Sequence, residues 1–168
     1  KERGITIDLG FASLDLAKGD EAFHLGIIDV PGHEDFVKNM VAGVGSIDLA
    51  LIVVAADDSW MPQTEEHVQI LSYLGVTKAV VALTKIDLPE ADAELAIEMV
   101  REELAGTPFA DAPIIGTSVV TGEGIEELKQ ALAEIVSTTP SPADIGKPRL
   151  PVDRVFTLKG IGTVVTGT

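Results

Sequence analysis

The chain has 168 residues, 46% of them hydrophobic and 23% charged, and no cysteine; this suits one ordinary domain with a buried core and excludes a disordered chain, a disulfide scaffold and a thiolate zinc site. Twelve Lys and Arg against 27 Asp and Glu leave a net charge of −15, a field that repels phosphate backbones and anionic lipid unless basic side chains gather locally. No apolar run approaches the roughly 20 residues that span a bilayer, and the first residues lack a signal-peptide pattern, so a cytoplasmic location is expected.

From Ile5 the apolar residues alternate (Ile5, Ile7, Leu9, Phe11), slip in phase, and resume at Leu14 and Leu16. The pattern predicts a half-buried strand, paired through a polar turn at 17–21 with a second strand over 23–30. Phe36, Val37, Met40, Val41 and Val44 share one helical face, predicting a helix over 35–45. The runs 49–56 and 79–83 are continuously apolar, as strands covered on both faces are. Helical stripes follow at Val68 and Leu71, at Ala93, Ile97, Val100 and Leu104, and at Ile125, Leu128, Leu132 and Ile135, with a short apolar segment at 113–116. Strands and helices thus alternate from 23 to 136, the signature of an α/β fold with a mostly parallel sheet and flanking helices. Three prolines between 137 and 148 predict a linker. Beyond it, 152–158, a Lys159-Gly160-Ile161-Gly162 turn and 163–168 read as a β-hairpin, too small to close a core alone and expected to open a second, β-rich domain.

Three segments follow predicted strands, where open α/β sheets place ligands. In Asp29-Val30-Pro31-Gly32-His33-Glu34 the carboxylate can hold a metal ion through water and the glycine lets a backbone N–H approach an anion; the alternative is a capped bend. In Thr84-Lys85-Ile86-Asp87 the Asp can accept from both N1–H and the 2-amino group of guanine, a donor pair adenine lacks, while the Lys stem can lie along the base. Taken alone, Lys-x-Asp more often describes a solvated helix-capping Asp beside a surface Lys. Ser118-Val119, within Thr117-Ser118-Val119-Val120-Thr121-Gly122, can offer backbone N–H groups to a base oxygen or be an ordinary loop. His24 and His67 read as structural or surface residues, and the spacing of the histidines excludes a zinc site.

Taken in order, Arg3-Gly4-Ile5-Thr6, Asp29 to Glu34, Met61-Pro62-Gln63-Thr64, Thr84 to Asp87 and Ser118-Val119 resemble the GTP-binding domain of translation elongation factors. Within that family, residues 4–12, Arg149-Leu150-Pro151-Val152-Asp153-Arg154-Val155-Phe156 and 159–168 look most like its selenocysteine-specific branch. The resemblance implies a P-loop GTPase-type domain over 1–138, a linker over 139–148 and the first hairpin of a β-barrel domain over 149–168. It implies that Thr6 and Asp29 hold Mg²⁺, and that Gly32 contacts the γ-phosphate. His33 is then the catalytic residue that positions the attacking water, while Thr84, Lys85, Asp87, Ser118 and Val119 form the guanine site. GTP and GDP are the implied nucleotides. Aminoacyl-tRNA, selenocysteyl-tRNA in that branch, and the ribosome are the implied partners.

The departures are specific. A phosphate-binding loop of the form G-x-x-x-x-G-K-[ST] occurs nowhere; Gly146-Lys147 is followed by Pro148, and position 141 is Ser. In the family that loop, a first strand and a first helix precede Thr6, so the chain is expected to begin inside switch I. Apolar edges are then expected beside 23–30 and 49–56. Weak GTP binding, poor RNA binding and self-association are expected of the isolated chain. Thr84 stands where Asn is usual, Val119 where Ala is usual, and Ser59-Trp60 where smaller residues are usual. The competing readings are a general aminoacyl-tRNA carrier of the Tu type and a non-catalytic interaction module derived from a GTPase.

Overall fold

The computed structural model describes residues 10–30, 32, 47–139, 146, 150 and 152–167. Strands β1 (Gly10–Lys18) and β2 (Glu21–Asp29) form a two-stranded sheet. Gly19, the first residue of their two-residue connection, has φ +60, which a hairpin turn with a glycine in first central position requires. The phase slip expected between Phe11 and Leu14 does not interrupt β1. Phe11 instead lies on the solvent side, 56% exposed, while Leu16 is 6% exposed, so the slip is one apolar residue on the outer face of a regular strand.

A second sheet carries β3 (Ala50–Ala55), β4 (Ala79–Thr84) and β5 (Ile114–Gly116) in the order β3-β4-β5, all parallel. Helices α1 (Pro62–Tyr73) and α2 (Ala93–Leu104) make the crossovers, and α3 (Ile125–Ser137) follows β5. Helix α1 begins six residues ahead of Val68, the first residue of its apolar stripe, with Pro62 in its first turn, where a fixed φ helps and the missing N–H costs nothing. The Asp92 carboxylate accepts from the Leu95 N–H at 3.0 Å and caps α2. Lys78 Nζ donates to the Thr138 carbonyl and to Thr139 Oγ1, both at 3.0 Å, setting a positive charge at the end of α3.

Residues 79–83 of β4 are all 3% exposed or less, as expected for a strand covered on both faces. On one side Val80 packs with Leu16, Leu132 and Ala133, joined by Leu14, Phe23, Leu25 and Leu128; Val81 and Leu83 point the other way by the strand's two-residue period. Strand β3 departs from expectation. Ala50, Ile52 and Val54 are buried, but Leu51 is 42% and Val53 59% exposed. The strand is thus buried on one face and open on the other, and in the sheet order it lies at the margin whereas β4 is flanked on both sides.

The chain divides into two compact units. Ser13–Leu25 with Asp48–Thr139 holds the parallel sheet, its helices and the turn end of the first hairpin. In the other, β6 (Val152–Leu158) and β7 (Gly162–Gly167) form an antiparallel hairpin that pairs Phe156 with Val164 and Leu158 with Gly162. Its turn carries Gly160 at φ +87, and the consecutive strand residues Val155 and Phe156 are 65% and 42% exposed, a two-faced apolar ribbon such as opens a barrel. The helix expected over 35–45, the first apolar alternation at 5–9 and most of the linker lie outside the described residues. Among the described residues no helix is long and apolar enough to cross a membrane.

Candidate functional site

The carboxyl ends of β3, β4 and β5 finish side by side, with Ala55 paired to Thr84 and Leu83 to Gly116. Three loops therefore leave one edge of the sheet, the edge at which α/β folds bind ligands. Cross-strand bonds fix their roots. The Ala56 N–H donates to the Thr84 carbonyl at 2.8 Å, the Thr117 N–H to the Leu83 carbonyl at 2.7 Å, and Thr84 Oγ1 to the Val54 carbonyl at 3.3 Å. Thr84 thus ties its loop to β3 through the hydroxyl, a tether that Asn is not needed to supply.

Lys85 has φ +62, a left-handed conformation that costs a β-carbon-bearing residue about 1–2 kcal/mol. Next to it the Leu88 N–H donates to the Lys85 carbonyl at 3.2 Å, closing a turn that carries Asp87. Asp87 is half-buried, and among the described residues nothing donates to its carboxylate. Its acceptor oxygens are therefore free for a ligand's donor pair.

The third loop is built more tightly. Ser118 is 1% exposed; its Oγ accepts from the Val120 and Thr121 N–H groups, both at 3.1 Å, and its own N–H donates to the Glu123 carbonyl at 2.9 Å. The loop closes onto α3 at Gly124, φ +71, where a β-carbon would sit 1.8 Å from the Gly116 carbonyl oxygen. Only glycine admits that approach. Between these anchors Val119 is 89% exposed, and its N–H donates to nothing among the described residues. The Ser118 side chain thus acts as a brace, and the Val119 amide is the open donor.

The electrostatic centre of this edge lies in the first loop. Lys85 Nζ lies 2.8 and 2.7 Å from the two Asp57 carboxylate oxygens and 3.4 Å from Asp58. The Lys85 hydrogen bond holds the Asp57 carboxyl below the usual carboxylate range, and Asp57 in turn holds the Lys85 ammonium above its ordinary value. Sequence reasoning missed Asp57 because it stands 28 residues from Lys85; the strand pairing that joins them leaves no local spacing signal.

Thr84, Lys85, Asp87, Ser118 and Val119 are thus brought to one sheet edge within one unit. Asp29 and Gly32 belong to the other unit, both exposed, and Thr6 and His33 lie outside the described residues. Asp29 ends β2 with an exposed carboxylate, a hard oxygen donor suited to Mg²⁺. Among the described residues no group of three or more acidic or histidine side chains gathers around a metal position. His24 pairs with Asp15 on the exposed hairpin, and His67 is half-buried in α1, its pKa lowered by burial and raised in smaller part by Glu66. Trp60 is half-buried, its Nε1 without a partner among the described residues.

Residues 1–138 match the family model described as the elongation factor Tu GTP binding domain. The chain belongs to that family. Among curated relatives, this GTP-binding-domain chain is 56% identical over its whole length to the selenocysteine-specific elongation factor of Desulfomicrobium baculatum and 45% identical to that of Escherichia coli, spanning 26% and 27% of those proteins. It is 36% identical over 99% of its length to elongation factor 1-alpha of Natronomonas pharaonis, of which it covers 42%. The chain thus spans about a quarter of the length of the selenocysteine-specific relatives it matches. Among solved structures, translation elongation factor SelB from Methanococcus maripaludis in complex with a GTP analogue aligns over 98% of this chain and 36% of its own, with TM-score 0.84 and 34% identity. A bacterial selenocysteine-specific elongation factor aligns over 98% of this chain and 28% of its own, with TM-score 0.78 and 35% identity. The GTPase-type sheet and the site edge described above are therefore placed within a translation-factor domain, and the similarity runs to the selenocysteine-specific branch over the whole chain.

Proposed function

We propose that this chain is the base-recognising part of a selenocysteine-specific elongation factor that hydrolyses GTP while delivering selenocysteyl-tRNA to the ribosome in the cytoplasm. The carrying observation is the half-buried Asp87 carboxylate without a hydrogen-bond donor, set beside the Lys85 turn. A guanine supplies the N1–H and 2-amino donors that this carboxylate lacks, the Lys85 stem covers the base face, and the Val119 N–H donates to the base oxygen O6. Adenine would leave the carboxylate unpaired, at a cost of about 1–3 kcal/mol or more for a charged group.

At the other end of the nucleotide, Thr6 and Asp29 would hold Mg²⁺, and the Gly32 N–H would contact the γ-phosphate. Bound Mg²⁺ neutralises charge that develops on the phosphate oxygens. His33 would orient the attacking water. Loss of the γ-phosphate would release Thr6 and Gly32 together, the order-to-disorder change by which such domains time a delivery step. The 168 residues contain no G-x-x-x-x-G-K-[ST] loop, so base selection and γ-phosphate sensing are the contributions proposed for this chain.

The test is a change of base preference. Asp87→Asn replaces one acceptor by an amide donor, which meets the C2 oxygen of xanthine in place of the guanine 2-amino group. In the intact protein, competition between GDP and XDP for a fluorescent nucleotide should move toward XDP by about 100-fold. Unaltered guanine preference would refute the assignment. Selenocysteyl-tRNA binding is tested separately by protection of its ester bond, compared with an ordinary aminoacyl-tRNA.

A further inference from the structure

We infer that Asp57 is a positioning residue for the base site: its carboxylate holds the Lys85 ammonium so that the lysine stem is already extended when the guanine arrives. This rests on the reading of Asp87 and Lys85 as the base site and adds a residue from a different loop to it.

The grip is two-toothed, one Nζ lying within 2.8 Å of both Asp57 oxygens, with the Asp58 carboxylate at 3.4 Å as a second attractor. The loop that carries the carboxylates is itself fixed. The Ser59 N–H donates to the Ala55 carbonyl at 2.8 Å, the Asp58 N–H to the same carbonyl at 3.3 Å, and Ser59 sits at φ 55. Both ends of the contact therefore start from constrained backbone, since Lys85 is also left-handed. A lysine stem has four rotatable bonds, and a stem that must be ordered as the ligand binds loses affinity to that ordering. With the ammonium already anchored at the end of β3, the stem bridges two strand ends before binding, and its methylene face is available to a planar base. The Asp57 side chain is 22% and that of Lys85 46% exposed, so the pair is open to a ligand from the solvent side while the carboxylate is partly shielded.

The experiment measures release of a fluorescent GDP analogue from the intact protein after a chase of unlabelled GDP. Asp57→Asn keeps the shape and removes the charge; release should accelerate about tenfold, the loss of one charge-assisted contact, with the KM for GTP rising by a similar factor and kcat moving by less than about twofold. Asp57→Glu should recover most of the loss. In a Lys85→Met background, Asp57→Asn should add nothing, because the carboxylate acts only through the ammonium. Unchanged release in Asp57→Asn, or an equal acceleration in both lysine backgrounds, overturns the positioning role. The Asp87→Asn base switch is read in parallel. A switch to xanthine with unchanged release in Asp57→Asn removes the positioning role alone, while retained guanine preference removes the base-site reading and this inference with it.

Discussion

Strand β4 has two unlike sides. Toward β5, backbone meets backbone: Gly124 lies against the Gly116 carbonyl, Thr117 bonds back to Leu83, and Ser118 is sealed at 1% exposure. Toward β3, part of the apolar surface is open, with Val53 59% exposed, and the loop ends are joined by the Lys85–Asp57 charge pair. The lesson concerns how a site divides its work. The rigid side presents a fixed amide, at Val119, and tolerates no change of backbone; the open side presents a long side chain whose position is set by charge and is adjustable by a partner.

Substitutions can break this contrast. The largest effect is expected at Gly124→Ala, where left-handed strain of about 1–2 kcal/mol adds to overpacking of about 1–3 kcal/mol against a carbonyl 1.8 Å from the new carbon. A loss of about 4 kcal/mol in urea unfolding, with loss of protection of the Ser118, Val120, Thr121 and Gly122 amides in hydrogen exchange, is the expected outcome. Leu83→Ala comes next. Leu83 is fully buried, and its truncation should cost about 3 kcal/mol. Val53→Ala, on the strand beside it, should cost less than about 1 kcal/mol, since more than half of that side chain is already in water. Equal losses at Leu83 and Val53 would mean that β3 is as closely covered as β4, and the two-sided description would fall.

The part of this that was legible in the sequence follows a physical division. Periodicity located β4 to within one residue and placed the Leu128–Leu132 stripe on the core, because those features depend on neighbours a turn or a strand step away. The same apolar texture misjudged β3, since a continuous run reports that side chains are hydrophobic and is silent about whether each face has a cover. The Asp87 turn and the Ser118 loop were readable from residue types after strands. Asp57 and Gly124 were not, because their roles exist only once the strands are laid side by side. Asp57-Asp58 by itself reads as a solvated acidic pair, and Gly124 as one more loop glycine.

The smallest expected effect tests the β3 side through α1, which packs on that strand and carries His67, half-buried. Burial lowers the His67 pKa below its ordinary value of 6.5, with Glu66 opposing. Between the folded and unfolded pKa values the unfolded chain binds more protons, so stability is complete above 6.5 and declines as pH falls toward the folded value. His67→Gln should flatten this part of the profile, read as the difference in urea midpoint between pH 7.5 and 5.5. Glu66→Gln should steepen it, by removing the charge that favours the protonated ring. The Lys85–Asp57 pair adds no slope in that window, because both pKa values move outward, the carboxyl down and the ammonium up. A slope that survives His67→Gln and vanishes in Asp57→Asn would reverse the assignment, placing the pH-sensitive contact at the loop ends and leaving α1 as inert cover.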